Sequence, residues 1–408
     1  QFGDPVPGIQ VELARLDYVA GKPRLLPVAN RVPTSTDDLG RFRSFWLPPG
    51  EYYAVALPRS LAGANAVGFA NTYYPGTTSA IAATAIRVGI GMDIFNTDFQ
   101  LSPATVATVA GVVRDDKTQP VPNAQLLLYS LHGGEVRSLI GTRGIADAKG
   151  FFVWRQLPIG TYVLQAISPP RPPDAGVRFG SIVVTLDEAG RSDLAVIVTS
   201  GTQARGRIIF EGSAARPPTS QIRLGPRPAE FVAVPAVGMG LPPTRISPDW
   251  LFETRGLFGS AVFRVEAPAP WALKTIRHNG DDVTDIPLLF GPQPLEGLEV
   301  TLTSDVAAIT GVVKNFTAQA GVQVLVFSAD RSRWGFPSRF IVLAPINHDG
   351  TFAVSSLLPD TYYAALVFGI RGTQWQDPTV LQNLVASATK VHVAAGESTT
   401  LTFDLSRR

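Results

Sequence analysis

Four histidines are the side chains of this chain best suited to proton transfer or metal binding near neutral pH. They are spread along the sequence as His132, His278, His348 and His392. None has a second His, Cys or Glu at the spacing that places two metal ligands on one element. No serine nucleophile, paired-carboxylate site or phosphate loop has its required neighbours. The sequence therefore predicts a protein that is not an enzyme, with no catalytic residue and no cofactor.

An acidic cluster follows Asn279-Gly280 and consists of Asp281, Asp282 and Asp285. Oxygen ligands of this kind could hold calcium in an inter-strand loop, although the spacing and the terminal Glu of an EF-hand are missing. The simpler interpretation is a turn whose Asp side chains accept hydrogen bonds from backbone N–H groups. The three residues are calcium candidates only, and we assign no metal site.

Aromatic residues in or beside loops are candidates for a glycan-binding face. They are Trp334, Trp375, Tyr73 and Tyr74, together with Trp46 and Phe336. The alternative is packing in a core or between modules, because aromatic side chains dominate buried surfaces. Their exposure decides between the two.

The elements that must position these residues are marked by a phrase that recurs along the chain. Its second copy contains Asp147, Gly150, Phe152, Leu157, Pro158, Gly160 and Tyr162. The first copy runs from Asp37 to Tyr52 with the same spacing, the fourth runs from Asn347 to Tyr362, and the third is degenerate around Trp250. The Asp and Gly predict a tight turn, and the Phe, Leu and Tyr predict core anchors, with the tyrosine hydroxyl bonding backbone. The phrase is a folding signature.

The repeat predicts four tandem domains of about 100 residues each. Strands are indicated by alternating and β-branched runs, while frequent Gly and Pro leave little room for long helices. We expect an all-β chain of Ig-like or transthyretin-like β-sandwiches, with modules at 1–102, 103–200, 201–304 and 305–408. Closing strands, such as 99–101, lead almost directly into opening strands, and such short linkers predict a semi-rigid array.

Module 1 is one strand short. Aligning Pro5 with Pro120 puts Gln1 after the point where an opening strand would have ended. The chain was cut upstream, or another chain supplies the strand, or a sheet edge stays open. The final strand of module 4 is followed by too few residues to donate a further strand.

The composition of the chain limits which classes of binding partner and which cellular location we expect. The net charge is +2, so no broad positive field favours nucleic acid. The chain has no cysteine, which excludes disulfides and thiolate metal sites. No run approaches the roughly 20 apolar residues that span a bilayer. Because the sequence opens on Gln1 without a leader, we expect a secreted or cell-surface protein whose signal peptide has been removed.

The chain resembles bacterial carboxypeptidase regulatory-like domains, the transthyretin-like sandwiches related to Cna-B-type surface repeats. The resemblance is carried by Gly111, Val112 and Val113, by the Pro-Val-Pro-Asn turn at 120–123, and by the phrase from Asp147 to Tyr162. A narrower resemblance, from Trp271 to Pro287 and from Tyr73 to Thr77, is to secreted multi-domain proteins of Acidobacteria-type soil bacteria. It implies a secreted or envelope location rather than an activity.

Two functions follow from these observations. The first is a non-catalytic extracellular structural protein, either a cell-surface rod or the subunit of an assembled fibre. Its partner would be a second copy or another surface protein, bound through the exposed edge of module 1. The second is a carbohydrate-binding or adhesion array that would bind a glycan through the loop aromatics and the loop from Asp281 to Asp285.

Overall fold

The computed structural model describes residues 3–29, 32–57, 68–133, 135–168, 177–229, 243–316 and 321–407. The chain is all-β and multi-domain, as predicted, with its strands arranged in many small sheets. Its contacts divide it into two compact units, unit 1 with residues 1–17 and 23–200 and unit 2 with residues 18–22 and 201–408. The predicted module ranges are used below as labels, and their boundaries stay a prediction.

Module 1, in unit 1, forms a sheet in the order β2-β1-β4-β6, with β3 on β1 and β7 on β4. Its strands are β1 Gln10–Val19, β2 Lys22–Pro27, β3 Thr34–Ser35, β4 Gly50–Leu57, β5 Gly68–Phe69, β6 Thr72–Tyr73 and β7 Ile86–Val88. The predicted closing strand at 99–101 is wrong, because those residues lie outside any strand.

Module 2, also in unit 1, is a two-sheet sandwich. Its strands are β8 Pro103–Ala104, β9 Val106–Asp115, β10 Gln125–Leu131, β11 Thr142–Ile145, β12 Phe151–Pro158, β13 Gly160–Ser168, β14 Arg178–Leu186 and β15 Arg191–Val198. One sheet has the order β11-β10-β13-β14 and the other β12-β9-β15. The opening strand β9 lies in the middle of its sheet, antiparallel to β12 and parallel to β15.

Module 3, in unit 2, has a six-stranded sheet in the order β18-β19-β16-β24-β21-β22 and a three-stranded sheet in the order β17-β20-β23. The strands are β16 Thr202–Glu211, β17 Arg223–Pro228, β18 Arg245–Ile246, β19 Leu251–Leu257, β20 Ser260–Glu266, β21 Ala272–His278, β22 Asp281–Asp282, β23 Leu288–Leu289 and β24 Leu295–Thr303. Here too the opening strand, β16, lies between its antiparallel and parallel neighbours.

Module 4 completes unit 2 with sheets in the orders β28-β25-β31 and β27-β26-β29-β30. Its elements are β25 Ala307–Lys314, β26 Val322–Ser328, β27 Ile341–Pro345, β28 Thr351–Leu357, β29 Asp360–Phe368, α1 Pro378–Leu384, β30 Thr389–Val393 and β31 Ser398–Asp404. The helix begins with Pro378 in its first turn, and the Asp377 carboxylate caps the Thr379 N–H. Short 3₁₀ turns lie at 219–221, 331–334, 374–376, 385–387 and 405–407.

The recurring phrase has the structure that its residues predict. The Asp147 carboxylate accepts hydrogen bonds from the Lys149 and Phe151 N–H groups, both at 2.8 Å. Gly150 turns the chain with a φ of 75°, a conformation that favours glycine. The Tyr162 hydroxyl donates to the Pro158 carbonyl at 2.6 Å. The same tyrosine bond recurs in the first and fourth copies, from Tyr52 to the Pro48 carbonyl and from Tyr362 to the Leu358 carbonyl.

Candidate functional site

The strand slot of module 1 is the candidate site, and we define it as segments 41–47 and 95–101. These segments correspond in sequence to β12 and β15, which flank the central strand β9 in module 2. Within the described part of module 1, no strand takes the place of β9, and neither segment belongs to a strand. A central strand forms backbone hydrogen bonds with the strands on both of its sides. Without a central strand, neither neighbour can form its hydrogen-bond ladder.

The core anchors beside the slot are less buried than their counterparts. Phe152 and Leu157 are 4% and 8% exposed in module 2. Phe42 and Leu47, at the same places in module 1, are only half-buried. The Phe42 ring packs edge-on against Phe99, with centroids 6.4 Å apart. The slot is therefore lined by rings that belong to a sandwich core.

Large apolar side chains are exposed in the two segments of the slot and at residues near them in sequence. They are Val32, Leu39, Phe45, Trp46, Ile90, Met92, Ile94 and Phe95. Trp46 is 94% exposed and Phe95 is 77% exposed. Of these side chains, Val32, Phe45 and Trp46 line one common pocket.

A pocket of about 170 Å³ lies next to the slot. It is lined by Val11, Glu12, Leu13, Val28, Val32, Pro33, Thr34, Ser44, Phe45 and Trp46. In module 2 the position of Ser44 is taken by Trp154, whose ring lies against Gly144. The smaller Ser44 side chain leaves this space open in module 1. A comparison of the two copies in sequence would have revealed this difference, which the sequence analysis missed.

The acidic cluster forms protein contacts. The Asp282 carboxylate accepts hydrogen bonds from the Thr284 N–H at 2.9 Å and from its hydroxyl at 2.5 Å. Burial opposes ionisation, but these bonds hold the pKa of Asp282 below its usual range. Asp285 contacts two guanidinium groups, Arg264 at 2.7 Å and Arg339 at 3.2 Å, and Asp281 is exposed. This arrangement matches the interpretation of a capped turn, and the calcium prediction stays untested.

Two of the predicted glycan-contact aromatics are core residues. Trp334 is 3% exposed, and its indole N–H donates to the Ser328 carbonyl at 2.7 Å. Tyr73 is 6% exposed within the core of module 1. Both rings are covered by protein, so burial argues against their assignment as glycan contacts. Tyr74 and Trp375 are half-buried, the former edge-on to Phe99.

The histidines lie apart from one another. His132, His348 and His392 are exposed and His278 is half-buried. In the described ranges, no three His, Cys, Asp or Glu side chains lie close enough together to hold a metal ion. Nor does any helix in the described part of the chain have the length and apolar character to cross a bilayer.

No protein-family model and no curated protein matches this chain. The chain is similar to a streptococcal ancillary pilin, at 12% identity over 74% of this chain and 100% of that chain, with a TM-score of 0.20. It is similar to BcpA, the major pilin subunit of Bacillus cereus, at 10% identity over 73% and 98% of the two chains, with a TM-score of 0.17. The Bacillus anthracis TIE protein is similar at 10% identity over 98% and 69%, with a TM-score of 0.17. At TM-scores this low, no function passes from these proteins to the present chain.

Proposed function

We propose that this chain is a non-catalytic extracellular structural protein, a cell-surface rod or a fibre subunit, that associates through the strand slot of module 1. The observation that carries the proposal is the difference between two modules of one repeat. Module 2 has a central strand between β12 and β15. Module 1 has both flanking segments, with half-buried anchors and exposed rings. None of its described strands pairs with either segment.

The same physical argument for association applies to the open edge of a sheet and to a slot between two strand-forming segments. Strand-forming segments without a ladder are templates for pairing with another chain. Burying apolar rings such as Phe95 contributes roughly 25 cal/mol per Å² removed from water. A contact between two different surfaces, when its rotation does not close, generates filaments. The slot and the rings around it therefore support both attachment and assembly.

We further propose that the modules belong to the carboxypeptidase regulatory-like group and that the protein is secreted. The support is the Gly111-Val112-Val113 opening together with the phrase from Asp147 to Tyr162. Sandwiches of this size can stand without disulfides, and the chain has no cysteine. Extraction of intact cells with and without surface proteolysis tests this location, because an internal protein would be protected.

Assembly is tested by electron microscopy and sedimentation of the purified chain over a range of concentrations. Phe95→Arg places a charge in the slot and is expected to abolish association through the slot. Leu289→Arg is the matched control, since Leu289 is 80% exposed in module 3. Monomers at every concentration for the unmodified chain, or equal loss in both variants, would contradict assembly through the slot.

The second candidate function is carbohydrate binding or adhesion, and the pocket beside Trp46 favours it. An exposed ring stands there with the Glu12 carboxylate and the Thr34 and Ser44 hydroxyls. A glycan array with Trp46→Ala and Trp375→Ala in parallel tests this function. Selective binding lost in Trp46→Ala would support it, and the absence of binding above background would exclude it for the glycans tested.

A further inference from the structure

The strand that runs parallel to each opening strand has an outer edge, and modules 2 and 3 cover this edge with another strand of their own. In module 2 the backbone groups of Phe179 and Thr199 exchange hydrogen bonds at 2.9 and 3.1 Å, which joins β14 to the end of β15. In module 3 the antiparallel strand β21 pairs with β24 from Leu298 to Thr303. The repeat therefore closes this edge in two different ways.

Module 4 leaves the same edge open, on strand β31. Within the described ranges, β31 pairs with β25 alone. The cause lies inside the module, because β30 takes the place of β14 but has five residues where β14 has nine. β30 begins only at Thr389, since the chain before it forms α1 and the 3₁₀ turn at 385–387. The helix covers the other sheet instead, where Leu381 is buried in one cluster with Phe327.

The burial of core side chains shows the same difference between the modules. Val196, Val300 and Phe403 pair with corresponding positions of the three opening strands. Val196 and Val300 are 0% and 1% exposed. Phe403 is only half-buried, and so is Leu401 two residues before it. A strand placed beside β31 would remove this apolar surface from water, which favours association.

The backbone of β31 directs alternate residues toward its outer edge. At the start of the ladder the Glu397 carbonyl accepts a hydrogen bond from the Ala308 N–H at 2.9 Å. Because alternate residues bond the neighbour in a parallel pair, Leu401 also faces β25. The N–H and C=O groups of Thr400 and Thr402 therefore point away from β25, and both side chains are exposed. Backbone groups at such an edge are a template for pairing with another strand.

We propose that two copies of this chain pair through β31, with the two strands antiparallel about a two-fold axis at Leu401. The antiparallel direction is the one in which β21 occupies the equivalent edge of module 3. In this register Thr400 of one copy lies opposite Thr402 of the second copy, so their outward backbone groups bond each other. The sheet of module 4 then continues from one copy into the next. The pairing goes beyond the proposed function, because it does not use the slot of module 1.

The sequence of β31 is compatible with a second β31 strand in this direction. Asp404 is its only charged residue. Antiparallel pairing places the two Asp404 carboxylates at opposite ends of the contact, each across from Ser398, whereas parallel pairing in register would set the two like charges side by side. On the core face the two Leu401 side chains meet at the axis. A two-fold contact of this kind closes on itself, so it joins two copies and does not propagate.

The test is sedimentation equilibrium of the whole 408-residue chain, performed with Phe95→Arg so that association through the slot is removed. This chain is expected to show a monomer–dimer equilibrium. Thr400→Lys with Thr402→Lys brings lysines opposite each other and should raise the Kd at least about tenfold. Thr400→Glu with Thr402→Lys brings opposite charges together and should restore the dimer. The matched control is Ala353→Lys with Ser355→Lys, at exposed positions of β28, and it should leave the Kd unchanged.

Hydrogen exchange gives a second readout that a general loss of stability would not reproduce. The Thr400 and Thr402 amides should become protected only at concentrations where the dimer forms, whereas the Leu401 amide, which faces β25, should be protected at every concentration. Monomers throughout, or equal Kd values for the Lys-Lys and Glu-Lys chains, would overturn the pairing. Protection of Thr400 and Thr402 in a chain that stays monomeric would also overturn it, because another part of the same chain would then cover the edge.

Discussion

Asp285 and Arg264 form an ion pair at 2.7 Å, and the Arg264 side chain is only 12% exposed. Arg264 also donates to the Thr284 carbonyl at 2.7 Å and, from Nε, to the Pro337 carbonyl at 2.9 Å. The other Asp285 oxygen accepts from Arg339 at 3.2 Å. Burial lowers the pKa of Arg264 to about 10, against the opposing effect of Asp285. Within unit 2, one carboxylate thus joins β20 to the loop before β27.

Replacing Asp285 by Asn should weaken this contact. The buried guanidinium keeps its charge and loses its counter-ion, so the free energy of unfolding of unit 2 should fall by about 1 to 2 kcal/mol. The partial exposure of Asp285 keeps the loss below that of a fully buried pair. Chemical denaturation followed by tryptophan fluorescence measures it. Asp281→Asn, at an exposed site in the same turn, is the control, and equal effects would contradict the assignment.

Tyr162→Phe tests the anchor of the recurring phrase. Loss of the 2.6 Å hydroxyl bond to the Pro158 carbonyl should cost about 1 kcal/mol. Burial raises the pKa of Tyr162 to about 12, whereas an unfolded tyrosine titrates near 10. The unfolded state therefore loses this proton first, so the stabilisation is full below pH 10 and is lost as the pH rises toward 12.

Tyrosinate absorbance of the native chain, minus that of Tyr162→Phe, should show one group titrating near pH 12. A difference spectrum with a midpoint near 10 would show that the hydroxyl is not protected. The alkaline slope of stability should be shallower in the variant, because the linked proton is gone.

The sequence predicted the all-β class and the core anchors, because both depend on local residue types. Asp147, Gly150 and Tyr162 satisfy their bonds within a few residues, and the phrase alone defines that geometry. The burial of Trp334 was not predicted, because it depends on how the 3₁₀ turn at 331–334 folds back onto β26, where the Phe327 ring lies 5.7 Å from the Trp334 ring between centroids. The pairing of Asp285 with Arg339 likewise joins two modules and has no local signature.

The predicted closing strand of module 1 was wrong even though its local sequence pattern is typical of a strand. Residues 99–101 have the alternation of a strand, and Phe99 points toward Phe42. A strand exists only when a neighbour completes its ladder, and in modules 2 to 4 that neighbour is the opening strand.

Gly311→Ala tests the close approach in an intact module. Its Cβ would lie 2.1 Å from the Leu401 carbonyl oxygen, so β25 and β31 must move apart. We expect a loss of about 2 to 4 kcal/mol and a lower melting temperature for module 4. Gly225→Ala, in strand β17 with open space around it, is the matched control. Comparable stability of the two variants in calorimetry would show that the close approach of β25 and β31 does not require glycine at this position.

Ile140→Ala tests how unit 1 covers the edge of β2. Ile140 is 4% exposed and packs in a core formed otherwise by module 1 residues, including Leu25 and Val55. Beside it, the Leu25 N–H donates to the Arg137 carbonyl at 3.0 Å, and the Leu139 N–H donates to the Leu25 carbonyl at 2.8 Å.

Deleting the buried Ile140 side chain leaves a cavity, so the free energy of unfolding of unit 1 should fall by about 2 to 4 kcal/mol. The Leu25 amide should exchange faster in deuterated solvent, since its partner segment loses its anchor. Ile145→Ala, at a 70% exposed site in module 2, should change neither quantity. Unchanged exchange at Leu25 in Ile140→Ala would mean that the backbone bonds hold this edge without the side chain.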